Sequence, residues 1–350
     1  MKNFWCEIYL DKLYNNLKII KEMADDKKII AVVKGNAYGL GVEEITTRLN
    51  DKVDYFAVSD INEAALINTD KEILLLSPLV SKDDFNTNLN NIIFTIDNKA
   101  VINEFPKDKT MKIHIYVDTG MNRMGVKCSE LAGIISEIKE KYPNVIVDGI
   151  YTHLHNTKNV NYTLKQIEDF KKCTEPFKDE VNMIHCLNSS GFINDEIRSA
   201  SYFTNAVRAG NILYGYDGFN KGIRRTYNYF AKPVNVYEVS KGEHVGYGCT
   251  YKAKRNIKIG ILGFGNIEHF GFSKDIDKGF FFNVVRAAYN SLKFRPEIFD
   301  AKSGRGIRIV SKPNMNITIV DMEGLNEDSL LRIEISPILA DSRITKKYIE

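Results

Sequence analysis

The chain has 350 residues, with 48 Lys and Arg against 45 Asp and Glu, a formal net charge of +3 and 44% apolar residues. That length suits two domains, or one barrel plus an addition, and the composition is ordinary for a globular protein. The small, interspersed charge gives no case for nucleic acid or an anionic membrane surface. No apolar run approaches the roughly 18 residues needed to span a bilayer. The five cysteines, odd in number, scattered and without a C-x-x-C pair, fit reduced thiols in a cytoplasm.

In chain order, the N-terminal MKNFWCEIYLDKL is broken by Glu7 and Asp11 and does not read as a signal peptide. Leu10, Leu13, Leu17 and Ile20 then recur at helical spacing and mark one apolar face. The run AVVKGNAYGLG, residues 31–41, follows a strand-like stretch and places Lys34 at its end. Burial disfavours a charged ammonium and lowers its pKa, which suits a Schiff-base lysine. The plainer alternative is a lysine whose stem lines the sheet edge while its amine reaches water. Gly35 to Gly39 reads as a turn, with Gly39 and Gly41 able to take conformations that other residues resist.

Further apolar runs follow. With the first they make eight candidate strands: 28–34, 55–60, 72–78, 91–97, 112–120, 145–154, 183–190 and 206–215. Helix formers occupy segments between them, such as 63–68, 129–141 and 162–178. This alternation predicts parallel βα units, and eight of them predict a closed (β/α)8 TIM barrel over residues 1–225. The first few residues are free to pack with the domain that follows. An open doubly wound sheet is the alternative, but no G-x-G-x-x-G follows the first strand. Beyond residue 225 come PVNVYEVS, NIKIGILGF, GIRIVS, NITIVDM and LLRIEIS, with turns between them and little helical signal. These predict a smaller, mainly β C-terminal domain over 226–350, with 218–229 as a linker.

Polar residues gather where the barrel strands end, the face on which a barrel builds its site. Lys34 ends the first strand, 118–123 with Arg123 the fifth, His153 the sixth and Ser189 the seventh; Arg208 lies in the eighth. Each has a bland reading: a surface arginine, a satisfied core histidine, a cap, a structural ion pair. Five at one end of one barrel are harder to dismiss. His153 and His155 would share a strand face, yet two histidines without a third ligand make a weak metal site, and none is expected.

The motifs AVVKGNAYGLG, VDTGMNRMGV, GIYTHLHNT, LNSSG, VRAGNILYG and VGYGCTY, in this order, resemble the alanine racemase family of fold-type III pyridoxal-phosphate enzymes. The resemblance covers most of the chain. It implies pyridoxal 5'-phosphate bound covalently to Lys34, its phosphate held by Tyr38, Ser189 and backbone donors near Gly210 and Asn211. Arg208 would face the pyridine nitrogen, and His153 would sit beside the ring and hold the arginine network. Arg123 would reach the cofactor oxygen and the substrate carboxylate, and Met315 would help bind the substrate. Tyr247 would be the second base, supplied across a homodimer with shared sites, opposite Lys34 in a two-base racemisation. The implied substrate is a small amino acid, with L- and D-alanine first.

The second domain departs from the family pattern. Gly263–Ile267 replaces a G-Y-A-D-G stretch, Met315-Asn316 replaces M-D, and Ile333-Glu334 stands where Y-E is usual, while Tyr116 replaces a common lysine before VDTGM. These changes open two alternatives: a racemase for serine or a larger amino acid, and a cofactor-binding protein with little or no racemase activity. A decarboxylase of the same layout and a metal-assisted aldolase are further rivals.

Overall fold

The structure is a computed structural model that describes residues 3–77, 82–272, 282–285 and 297–350. The chain separates into two compact units, Lys12–Arg225 and a second unit made of Met1–Asp11 with Thr226–Glu350.

Strand β1 (Phe4–Tyr9) opens the chain, and the helix Leu10–Ala24 follows it directly. The Lys12–Arg225 unit then contains β2 (Lys28–Val32), β3 (Tyr55–Val58), β4 (Ile73–Leu75), β5 (Ile92–Ile96), β6 (Met111–Asp118), the two-residue β7 (Val126–Lys127), β8 (Val145–Tyr151), β9 (Met183–His185) and β10 (Ala206–Ala209). Apart from β7, which pairs only with β6, they are ordered β10-β2-β3-β4-β5-β6-β8-β9, all parallel. Hydrogen bonds Asn205 N to Ile184 O (3.0 Å) and Arg208 N to Leu187 O (3.1 Å) link the last pair and bring the barrel close to closure. All eight expected barrel strands are present, although Pro78, at the end of the third expected run, lies outside the described residues.

The barrel closes because these short runs are apolar on both faces. One set of side chains (Ile30, Val32, Ala57, Leu74, Ile93, Met183 and Ala206) packs as a single interior cluster. Helices cover the outside; Cys128–Lys141, for example, buries Leu131, Ile134, Ile135 and Ile138 along one stripe.

In the second unit, β1 is the fourth strand of a five-stranded sheet. It pairs antiparallel with β11 (Tyr227–Ala231) and parallel with β19 (Thr345–Ile349). Between these two in sequence lie β12 (Asn235–Val239), β13 (His244–Val245), β14 (Tyr251–Lys252), β15 (Ile257–Leu262), β16 (Ile298–Asp300), β17 (Thr318–Asp321) and β18 (Leu331–Ile333). Strands β16 and β18 complete the five-stranded sheet, β12-β15-β17 form another, and β13-β14 a hairpin. Two expectations need correction. GIRIVS makes only isolated bridges, at Gly306 and Ile309. The expected linker 218–229 runs into β11, because Tyr227 and its neighbours find a partner in β1.

Candidate active site

The C-terminal ends of the barrel strands surround a cavity of about 340 Å³. Its lining includes Lys34, Tyr38, Arg123, His153, Ser189, Arg208, Gly210 and Asn211, all eight residues expected there from this unit. Tyr116, Tyr151, Leu76 and Asn188 complete much of the wall. Tyr247 and Met315 are not part of that lining; both belong to the other unit and are exposed, at 89% and 68%.

Lys34 leaves β2 into a single turn of left-handed backbone. Gly35 (φ 63°), Asn36 (φ 56°), Ala37 (φ 52°) and Tyr38 (φ 56°) all have positive φ. For a residue with a Cβ this costs about 1–2 kcal/mol, so the turn needs outside support. Glu63 supplies it: one carboxylate oxygen accepts from Asn36 N and the other from Ser59 N, each at 2.9 Å. Asn36 Oδ1 accepts from Val42 N at 2.8 Å, and Tyr216 Oη donates to Tyr38 O at 3.0 Å. The sequence marks this turn with Gly39 and Gly41, but three non-glycine residues, Asn36, Ala37 and Tyr38, share its positive φ. Burial, then the charges of Arg123 and Arg208, push the Lys34 pKa down, with Glu63 opposing.

Ser189 starts a short helix after β9, and its hydroxyl accepts from Gly210 N (3.1 Å) and Ile212 N (3.3 Å). Tyr38 leans over the same spot: a Cβ on Gly210 would lie 2.5 Å from Tyr38 Oη. Two hydroxyls and converging backbone N–H groups suit a phosphate monoester.

Arg208 is buried and, among the described residues, reaches no carboxylate. Its Nη1 donates to His185 Nδ1, and its Nη2 donates to Thr152 O at 2.7 Å. Among the described residues its Nε has no hydrogen-bond acceptor, which suits a neutral ring nitrogen in the cavity. His185 Nε2 meets His114 Nδ1 at 3.1 Å, and His114 Nε2 meets Asp148 Oδ2 at 3.3 Å. Because Arg208 can only donate, the tautomers follow in series: His185 donates to His114, and His114 donates to Asp148. Burial, with Arg208 adding to it, keeps both imidazoles neutral by lowering their pKa values. Burial alone would raise the Asp148 pKa; bonds from His114 and Asn182 and the Lys112 charge outweigh it and hold the value at about 2. The countercharge of Arg208 is thus set two imidazoles away.

The β6–β8 pairing explains how Asp148 reaches this position. Ile113 pairs with Val147 but His114 pairs with Gly149, so Asp148 is the extra residue of a bulge. Gly149 leaves room for the His114 ring. Holding Arg208, a role expected of His153, belongs instead to His185, which is fully buried and faces the guanidinium. His153 lines the cavity, and burial first, then Arg208, Arg123 and Lys34, depress its pKa to about 3. His155 is exposed beyond the end of β8, and no group of three potential metal ligands occurs among the described residues.

Asp118 shapes the segment that carries Arg123: its Oδ1 accepts from Gly120 N (3.1 Å) and Asn122 N (3.0 Å), and its Oδ2 pairs with Lys127 at 2.6 Å. Arg123 lies near enough to Tyr116 for its charge to act on the phenol, whose hydroxyl donates to Met121 Sδ at 3.9 Å. Tyr116 is buried, packed on Tyr151 with ring centroids 4.9 Å apart. Its own pKa is raised by burial against the pull of Arg123 and Arg208, so it stays a neutral phenol.

Residues 8–218 match the family model of the alanine racemase N-terminal domain, and the chain belongs to the alanine racemase family. It is 33% identical over 279 residues to alanine racemase 2 of Clostridium acetobutylicum, covering 74% of this chain and 70% of that protein. In fold it resembles the alanine racemase of Clostridium difficile 630, with a TM-score of 0.83 at 22% identity over 99% and 96% of the two chains. It is also similar to a histidine racemase from Leuconostoc mesenteroides, with a TM-score of 0.81 at 21% identity over 100% and 98%.

In the second unit, two of the altered segments are neighbours. Asn266 N donates to Asn314 O (2.9 Å) and Ile267 N to Met315 O (2.8 Å). Ile333 is fully buried in β18, where its side chain belongs to the sheet's own core.

Proposed function

We propose that the protein is a racemase of a small amino acid, dependent on pyridoxal 5'-phosphate, with L- and D-alanine as its substrate pair. The observation that carries this reading is the meeting of Lys34, a hydroxyl and N–H cradle and the unshared Nε of Arg208 in one cavity of a family barrel. When bound, pyridoxal phosphate supplies an electron-withdrawing system that acidifies the amino acid's α-carbon. Lys34 would hold it covalently, Tyr38, Ser189 and the Gly210–Asn211 backbone its phosphate, Arg208 its ring nitrogen, and His153 its ring.

The chain's own residues then divide the remaining work. The lowered pKa of Lys34 makes its amine available as a base on one face. Arg208 stays protonated and, backed by neutral His185, does not pass a proton to its acceptor. Arg123, on the cavity wall with Tyr116, offers its planar fork to a carboxylate. Exposed Tyr247 returns the proton on the other face, acting from a partner copy in a cytoplasmic homodimer.

A second reading, serine or a larger amino acid as substrate, is supported by the adjacent altered segments at Gly263–Ile267 and Met315-Asn316. A protein that binds the cofactor with little racemase activity is the third. Two variants test the assignment. Lys34→Ala should lose both the lysine-linked absorbance and turnover; retention of that absorbance overturns the role of Lys34. Tyr247→Phe should keep the absorbance and slow α-proton removal from the L enantiomer, with a larger deuterium isotope effect in that direction. Unchanged isotope effects in both directions would remove Tyr247 from the reaction.

A further inference from the structure

The first residue of the helix Cys128–Lys141 meets the last turn of the helix Val160–Thr174 at two cysteines. Cys128 is exposed and Cys173 partly buried. Cys173 Sγ lies 4.0 Å from the Cys128 carbonyl oxygen, which sets the two cysteines side by side. Neither is needed for the reaction proposed above. We propose that Cys128 and Cys173 form a reversible dithiol–disulfide modification site, oxidised by a hydroperoxide and reset by a dithiol.

The two sulfurs are suited to different halves of the step. Cys128 sits at the start of a 14-residue helix, where backbone N–H groups favour a thiolate. The neighbouring Cys173 lowers the Cys128 pKa further, against burial, while the neighbouring Cys128, with burial, raises that of Cys173. The exposed sulfur is therefore the nucleophile and the shielded one the resolving thiol. The Cys128 thiolate attacks one peroxide oxygen; an S–O bond forms, the O–O bond breaks, and the other oxygen leaves as water after taking a proton. Cys173 sulfur then displaces the oxygen from Cys128; an S–S bond forms, and that oxygen leaves as a second water with the Cys173 proton. Two thiols give up two electrons, and one hydrogen peroxide is reduced to two waters.

The sequence makes the product easy to detect. Cleavage after Lys127, Lys139, Lys172 and Lys178 yields CSELAGIISEIK and CTEPFK, each holding one cysteine. Treating the full-length protein with one equivalent of hydrogen peroxide, then alkylating and digesting without reductant, should give the linked 128–173 pair as the main product. Dithiothreitol should reverse it. In Cys173→Ser the oxidation should stop at a Cys128 sulfenic acid that a cyclic 1,3-dione traps, whereas Cys128→Ser should react at neither position. In urea the linked pair should lose its dominance among the five cysteines. Peroxide consumed instead at Cys249, the other exposed thiol, or the same product distribution in folded and urea-treated protein, would overturn the proposal.

Discussion

Gly149→Ala puts the buried histidine pair to a direct test. An added Cβ would lie 2.6 Å from His114 Nε2 and 2.8 Å from Cδ2 and Cε1. Ordinary contact begins near 3.5 Å, so the ring must retreat by about 0.9 Å. It has nowhere to go without loss, being fully buried and bonded at both nitrogens, to His185 at 3.1 Å and Asp148 at 3.3 Å. Overpacking of this kind costs about 1–3 kcal/mol, and two weakened hydrogen bonds add about 0.5–1.5 kcal/mol each. The expected destabilisation is therefore about 2–6 kcal/mol. For a unit of this size that is a fall in Tm of roughly 4–24 °C. Gly133→Ala is the matched control: it lies in the helix Cys128–Lys141, with open space where the Cβ would go. There alanine should add about 0.5–1 kcal/mol, since glycine is the poorer helix former. Thermal denaturation followed by circular dichroism reads both. A Gly149→Ala protein melting within about 2 °C of wild type, or moving in the same direction as Gly133→Ala, would refute the close packing of His114.

The Asp148 carboxylate gives a pH dependence of known sign. Its folded pKa of about 2 lies below the usual 3.8, so its contribution to stability is full above about pH 4 and is lost as the pH falls toward 2. Asp148→Asn should flatten the acid limb of a stability–pH curve measured by urea titration; an unchanged limb would place the acid sensitivity elsewhere. Tyr116→Phe removes a phenol hydroxyl that shares the cavity wall with Arg123. Because Arg123 is exposed, we expect a loss near 1 kcal/mol, seen as about a fivefold rise in KM with little change in Tm. An unchanged KM would show that Tyr116 does not position Arg123.

The barrel was legible because each of its strands is a short apolar run, and a parallel strand buried on both faces leaves that trace. Strand β1 was not: its partners, Tyr227–Ala231 and Thr345–Ile349, lie more than 200 residues away, and FWCEIY beside a helical pattern looks like its lead-in. The left-handed turn was half visible. Gly35 and Gly39 mark it, but Asn36, Ala37 and Tyr38 adopt it with support from Glu63, Val42 and Tyr216 in other elements.

The cavity residues were readable from their positions at strand ends and from family motifs. The arrangement behind Arg208 was not. His114, Asp148 and His185 come from three strands, and a one-residue bulge decides which way Asp148 points. Parity along β6, with His114, Tyr116 and Asp118 on one face, was the available signal. The alanine racemase fold accounts for the frame, and the segments Gly263–Ile267 and Met315-Asn316, read in the sequence as departures from the family pattern, pair with each other through Ile267 and Met315.

The central claim is that this site removes and returns the α-proton of alanine on both faces. The most direct measurement adds pyridoxal phosphate and follows the α-proton signals of L- and D-alanine by NMR in heavy water, with serine and histidine alongside. The account predicts that both alanine enantiomers lose that signal and that each converts to the other. Loss and inversion with serine or histidine alone would contradict the substrate. No exchange with any of them, despite a lysine-bound cofactor, would contradict racemisation itself.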